Sequence, residues 1–162
     1  MKVGLLSYRS HPYSGGQGIY IKHLSKALKN LGHEVSVLSG PPYPELDSGV
    51  NLIKIPSLGL FESGERFKAF RLRFLWSPID LYEWITVMTG GFPEPYTYGK
   101  RVLKRLKENN LKLDVLLDNQ SLSSSLLEIQ ARYPLAVTIH HPITKDHKLE
   151  MQNAINWKER LS

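Results

Sequence analysis

Residues 1–40 read MKVGLLSYRSHPYSGGQGIYIKHLSKALKNLGHEVSVLSG, and this stretch decides the fold. Lys2–Ser7 is a short apolar run, suited to a parallel strand buried on both faces. From Gly18 the period changes. Tyr20, Leu24, Ala27, Leu28 and Leu31 recur at helical spacing, with Lys22, Lys26 and Lys29 on the opposite face. Gly32 stands where a helix C-terminal cap belongs, and residues 33–39 follow as a second strand. Strand, loop, helix and strand in this order open a doubly wound α/β fold. A Rossmann-like, mostly parallel sheet with helices on both faces is expected.

The rhythm continues along the chain. Residues 51–56 (NLIKIP) read as a third strand, 96–109 as a basic amphipathic helix and 113–118 (LDVLLD) as a strand. A shorter helix is expected over 123–132 and a strand over 135–140. Residues 146–162 are helical in pattern and reach the last residue without a Gly, Asn or Pro stop signal. Between Leu58 and Tyr98 the texture differs, with all five Phe and two of the three Trp. There ERFKAFRLRFLW interleaves aromatics with Arg and Lys, and PIDLYEWITVM reads as a helix opened by Pro78. Two uses suit this segment: docking on an anionic membrane surface, or packing of its aromatics on the sheet with the basic groups solvated. Packing is the favoured expectation.

With 162 residues the chain suits one domain, residues 1–162, large enough to bury a core without staples. It has no cysteine, which excludes disulfides and thiolate metal sites and fits a reducing compartment. The chain passes from Lys2 straight into a strand-like run, so no signal peptide is expected, and no apolar run approaches a membrane span. A formal charge of +6 favours anionic partners without choosing among them. Nucleic acid is not expected, because no recognised binding motif accompanies the basic residues.

Gly15, Gly16 and Gly18 lie between the first strand and the first helix. Glycine there permits positive φ and close approach of another molecule, and the unpaired amides of a helix start attract phosphate. The spacing is not G-x-G-x-x-G, and Ser39-Gly40-Pro41-Pro42 puts no acidic residue after the second strand, which disfavours a nicotinamide dinucleotide. No G-K-[ST] is present, which removes a P-loop hydrolase. A tight turn without ligand is the alternative.

These residues, together with LDVLLDNQSLSSSLLEIQARYPLAVTIHHPITKDHKLE later in the chain, resemble glycosyltransferase family 4, retaining enzymes of the GT-B fold. The resemblance covers both ends of the chain and is loose in the aromatic middle. It implies an N-terminal, acceptor-side Rossmann-like domain whose loop amides, Gly16 above all, contact the diphosphate of a nucleotide-sugar donor. It also implies that His140, and less directly His141, lies by the donor sugar near the reacting carbon. Asp118, Asn119 and Gln120, at the end of another strand, either bind hydroxyls of a sugar or lipid-linked acceptor or cap the helix that follows.

The family's donor-binding half carries two glutamates separated by seven residues. No such pair occurs here, since Glu150 and Glu159 have the wrong spacing. A C-terminal GT-B domain is therefore expected to be missing, and the chain by itself to be incomplete as an enzyme. No cofactor or metal is expected: His140, His141, Asp146 and His147 match no zinc spacing. A cytoplasmic location, extending to the inner face of the membrane, goes with a nucleotide-sugar donor. A non-catalytic module or an unrelated nucleotide-binding α/β protein are the other classes left open.

Overall fold

Five parallel strands form one sheet in the order β3-β2-β1-β4-β5. They are β1 (Lys2–Ser7), β2 (Glu34–Ser39), β3 (Asn51–Lys54), β4 (Val115–Asn119) and β5 (Leu135–Thr138). Among the described residues four helices accompany them: α1 (Gln17–Asn30), α2 (Pro78–Met88), α3 (Glu94–Glu108) and α4 (Ser125–Gln130). A 3-10 turn covers Leu72–Trp76. The structure is a computed structural model and describes residues 1–60, 71–108 and 111–140.

Period-two alternation sorts the strand side chains into two cores. Val3 and Leu5 of β1 and Val35 and Val37 of β2 join Ile21 of α1 on one face. Leu6, Leu38 and Leu116 join Tyr98, Val102, Leu103 and Leu106 of α3 and Ile129 of α4 on the other. Each fully buried aliphatic side chain contributes about 1.5–3 kcal/mol relative to an exposed one. The expected α/β sheet with helices on both faces is thus present.

Local chemistry accounts for the ends of the elements. α1 stops in a Schellman arrangement: Gly32, at φ 84°, donates its amide to the Lys29 carbonyl at 2.9 Å, and the His33 amide reaches Leu28 at 3.2 Å. β3 ends two residues earlier than expected. Its ladder is extended once by the Ile55 amide bonding to the Ser39 carbonyl at 2.8 Å, and Pro56 follows. α3 starts at Glu94 rather than residue 96, because Pro95 in a first turn lacks only an amide that would go unpaired anyway. β5 ends at Thr138, so His140 stands beyond the strand.

In the aromatic middle, the described part of the first piece is the short 3-10 turn, and α2 begins at Pro78 with Ser77 Oγ accepting the Asp80 amide at 3.3 Å. Packing there is divided. Phe74 is buried, whereas Leu72, Leu75 and Trp76 are exposed, Trp76 at 88 %. Arg101 of α3 ties α2 down, reaching Asp80 and the buried Glu83 at 2.5 Å each. Residues 61–70 and 141–162, with His141 and the expected helix over 146–162, lie outside the described residues.

Candidate active site at the switch point of the sheet

Strand order reverses between β1 and β4, and the C-terminal ends of those two strands flank the crevice where open α/β sheets bind ligands. The loop after β1 carries the glycines. Gly15 and Gly16 have φ of 77° and 69°, are exposed, and a Cβ added to either would meet nothing within 4 Å. Gly18 differs: it is buried, and a Cβ there would fall 2.1 Å from the His11 carbonyl oxygen. Two of the glycines therefore leave open space, and the third lets the helix lie on its own loop. Gly16 is the N-cap of α1 and makes no side-chain cap bond; the Gln17 amide turns back onto the Gly15 carbonyl at 2.7 Å, and the Gly18 and Ile19 amides stand in the first turn, where a helix has no carbonyl of its own to offer them. A cleft of about 350 Å³ adjoins the loop, lined by Tyr8, Arg9, His11, Gly15, Gln17 and Pro42.

His140 lies on the same rim. Its backbone amide donates to Gln120 Oε1 at 2.8 Å, and its Nε2 is 2.5 Å from Asn119 Oδ1. The Tyr20 ring meets the imidazole edge-on, with centroids 4.8 Å apart. Tyr20 also donates its amide to the Gly16 carbonyl at 2.8 Å. One residue in the first turn of α1 thus touches both the glycine loop and the histidine.

The three neighbouring residues 118–120 do not act as one group. Asn119 shares the α1 face of β4 and turns toward His140. Asp118 points to the α3 face, is fully buried, and accepts from Ser121 Oγ at 2.5 Å and the Ser121 amide at 2.9 Å. Burial pushes its carboxyl above the ordinary aspartate range, while the bonds from Ser121 and the Leu122 amide pull it back. Asp118 closes a turn in which Gln120 and Leu122 hold φ of 51° and 49°. It does not cap α4, whose N-cap is Ser124; Ser123 Oγ instead accepts the Ser125 amide at 3.2 Å.

Three serines under the rim were not among the expected residues. Ser39 Oγ bonds Ser10 Oγ at 2.9 Å, and Ser10 Oγ donates to Ser7 Oγ at 2.8 Å. Ser7 and Ser39 are small polar residues at the C-terminal ends of two adjacent strands, and that position is the signal that marks them. Tyr98 rises from α3 beneath them, donating to the Leu38 carbonyl at 2.6 Å and accepting the Ser7 amide at 2.9 Å. No helix among the described residues is long and apolar enough to cross a membrane.

The family model described as Glycosyltransferase Family 4 matches residues 14–162. The chain is also 45 % identical over 163 aligned positions to an MMP alpha-(1->4)-mannosyltransferase of Mycolicibacterium hassiacum. That alignment takes in 99 % of this chain and 40 % of the relative, so the chain spans well under half the length of the protein it matches. With a match over most of its length, and a sheet and rim that suit it, the chain belongs to glycosyltransferase family 4.

Proposed function

We propose that the chain is the N-terminal, acceptor-side domain of a retaining glycosyltransferase. The enzyme moves a hexosyl residue, mannosyl by analogy with the relative, from a nucleoside diphosphate sugar to an acceptor hydroxyl. The observation that carries this is Tyr20, which holds the open glycine turn and His140 on one rim. In this scheme the first-turn amides of α1, from Gly16 onward, hold the donor diphosphate, where negative charge grows as the glycosidic bond breaks. His140 orients the sugar. The acceptor oxygen attacks the anomeric carbon on the face the diphosphate leaves, and its proton passes to the departing phosphate oxygen. Retention follows without a protein nucleophile.

The partners in this reading are a nucleotide-sugar donor, a sugar or lipid-linked acceptor, and a second GT-B domain with the paired glutamates. In this scheme Asn119 and Gln120 support the sugar side, and Asp118 holds their turn. The donor is a cytoplasmic metabolite, and exposed Leu72, Leu75 and Trp76 beside Arg71 and Arg73 suit contact with the inner membrane face when the acceptor is lipid-linked.

The test is titration of the purified chain with nucleoside diphosphate sugars, followed by amide chemical shifts. Weak binding that perturbs Gly16, Gly18, Tyr20 and His140, without turnover, is expected. Robust transfer by the chain ending at Ser162, or binding that leaves those amides unmoved, contradicts the assignment.

A further inference from the structure

The hydrogen-bond inventory beneath His140 closes in one direction only. Ser7 Oγ donates to the Arg9 carbonyl at 2.9 Å, and a carbonyl has no proton to give back. The single hydroxyl proton of Ser7 is thereby committed, and toward every other neighbour its oxygen can only accept. It accepts from Ser10 Oγ at 2.8 Å and, at a longer 3.5 Å, from the Asn119 amide nitrogen. That fixes which end of the Asn119 amide is which: Nδ2 faces Ser7, and Oδ1 faces the imidazole. Oδ1 lies 2.5 Å from His140 Nε2 and carries no proton, so the ring nitrogen must supply one.

We propose that Asn119 is a positioning residue that sets the tautomer of His140, holding the neutral ring as the Nε2–H form and leaving Nδ1 as a bare hydrogen-bond acceptor. The hydrogen bonds run from the Arg9 carbonyl through Ser7 and Asn119 to the imidazole. Asn119 is fully buried while His140 is exposed, so the fixed end of the pair is the amide. Two further restraints keep the ring in place: the His140 amide on Gln120 Oε1, and the edge of Tyr20. Under the proposed sugar-transfer function, on which its catalytic meaning rests, this arrangement makes His140 an acceptor for a donor-sugar hydroxyl. It orients the sugar by receiving that hydroxyl's proton in a hydrogen bond, and it transfers none. The hydrogen bond made at one ring nitrogen sets which of the two carries the proton.

The experiment is a two-bond proton–nitrogen correlation spectrum of the ¹⁵N-labelled chain, at a pH where the ring is neutral. His140 is identified by the signals lost in His140→Gln. The expected wild-type spectrum shows one form, with Nε2 protonated and Nδ1 bare. A ring protonated at Nδ1, or one averaging between the two forms, overturns the proposal. Asn119→Ala is expected to release the ring into averaging, and Asn119→Asp, which keeps an acceptor at that place, to restore the single form. A folded Asn119→Ala chain that retains a pure Nε2–H ring also overturns it. Should the variants not fold, the wild-type spectrum alone decides. No nucleotide sugar is present, so this result stands apart from whether the chain binds one.

Discussion

The phenol of Tyr98 donates to the main-chain carbonyl of Leu38 at 2.6 Å, joining residues 60 positions apart. The same oxygen accepts the Ser7 amide at 2.9 Å, so one hydroxyl from α3 braces the ends of β1 and β2. Its burial drives the phenol pKa well above the ordinary tyrosine value, with the carboxylate of Asp118 adding to it, and the group stays protonated. Tyr98→Phe keeps the ring and removes both bonds. A loss of about 1–3 kcal/mol is expected, the usual cost of orphaning buried polar groups, read as a lower urea midpoint at unchanged slope.

The glycines of the loop should separate by mechanism. In Gly18→Ala the new methyl collides with the His11 backbone, which cannot rotate away, and thermal stability should fall by about 1–3 kcal/mol. In Gly16→Ala the methyl meets open space and only the backbone conformation, φ 69° with ψ -39°, resists it, at about 1–3 kcal/mol. Yet that methyl stands where the donor diphosphate is proposed to sit. Gly16→Ala should therefore lose nucleotide-sugar affinity out of proportion to its melting temperature. Equal affinity in the variant and the parent would remove Gly16 from the donor site.

Arg101 is the next weak point, because its two carboxylate partners differ in burial. The side chain of Glu83 is 1 % exposed and that of Asp80 25 %. Glu83 Oε1 also accepts the Leu58 amide at 3.0 Å, so the group is built into the junction of α2 with the loop after β3. Arg101→Leu strands a buried charge and should destabilise the chain by about 3–5 kcal/mol. Arg101→Lys should recover only part, since an ammonium cannot span both carboxylates as the planar guanidinium does. Denaturant titration of both variants checks this. A near-neutral Arg101→Leu would show that Glu83 finds another partner.

Asp118 makes stability depend on pH in a definite sense. Its carboxyl titrates above the ordinary value, so between about 3.9 and the folded-state pKa the folded chain keeps a proton that the unfolded chain has released. Stability present in acid is lost as pH climbs through that window, and it levels off above it. Asp118→Asn has no such proton and should flatten this descent, at the cost of weaker bonding to Ser121. Urea titrations at closely spaced pH values compare the two slopes. A parent and variant with the same slope would show that Asp118 ionises as freely folded as unfolded.

Much of this architecture was legible in local pattern. Residues 2–7 match their expected strand end to end, and Gly32 caps α1 as its position implied. Such features depend on side-chain period and turn chemistry, which neighbouring residues determine among themselves. The first half of the candidate site was legible for the same reason, since a glycine loop between strand and helix is a local object. Residues 118–120 were legible only as a cluster at a strand end. Alternation along β4 then sends Asp118 to the α3 side and Asn119 to the α1 side, and which face is buried beneath a helix is a tertiary matter.

By itself, then, the order of residues determined the succession of strands and helices among the described residues, the open turn at Gly15 and Gly16, and the family. Tertiary structure decided that β4 lies against β1, which brings Asn119 within reach of Ser7 across 112 positions and of His140 across 21. No local preference encodes that placement. It arises because both faces of one parallel sheet must be covered at once, and the strand order that achieves this also selects which polar groups meet at its ends.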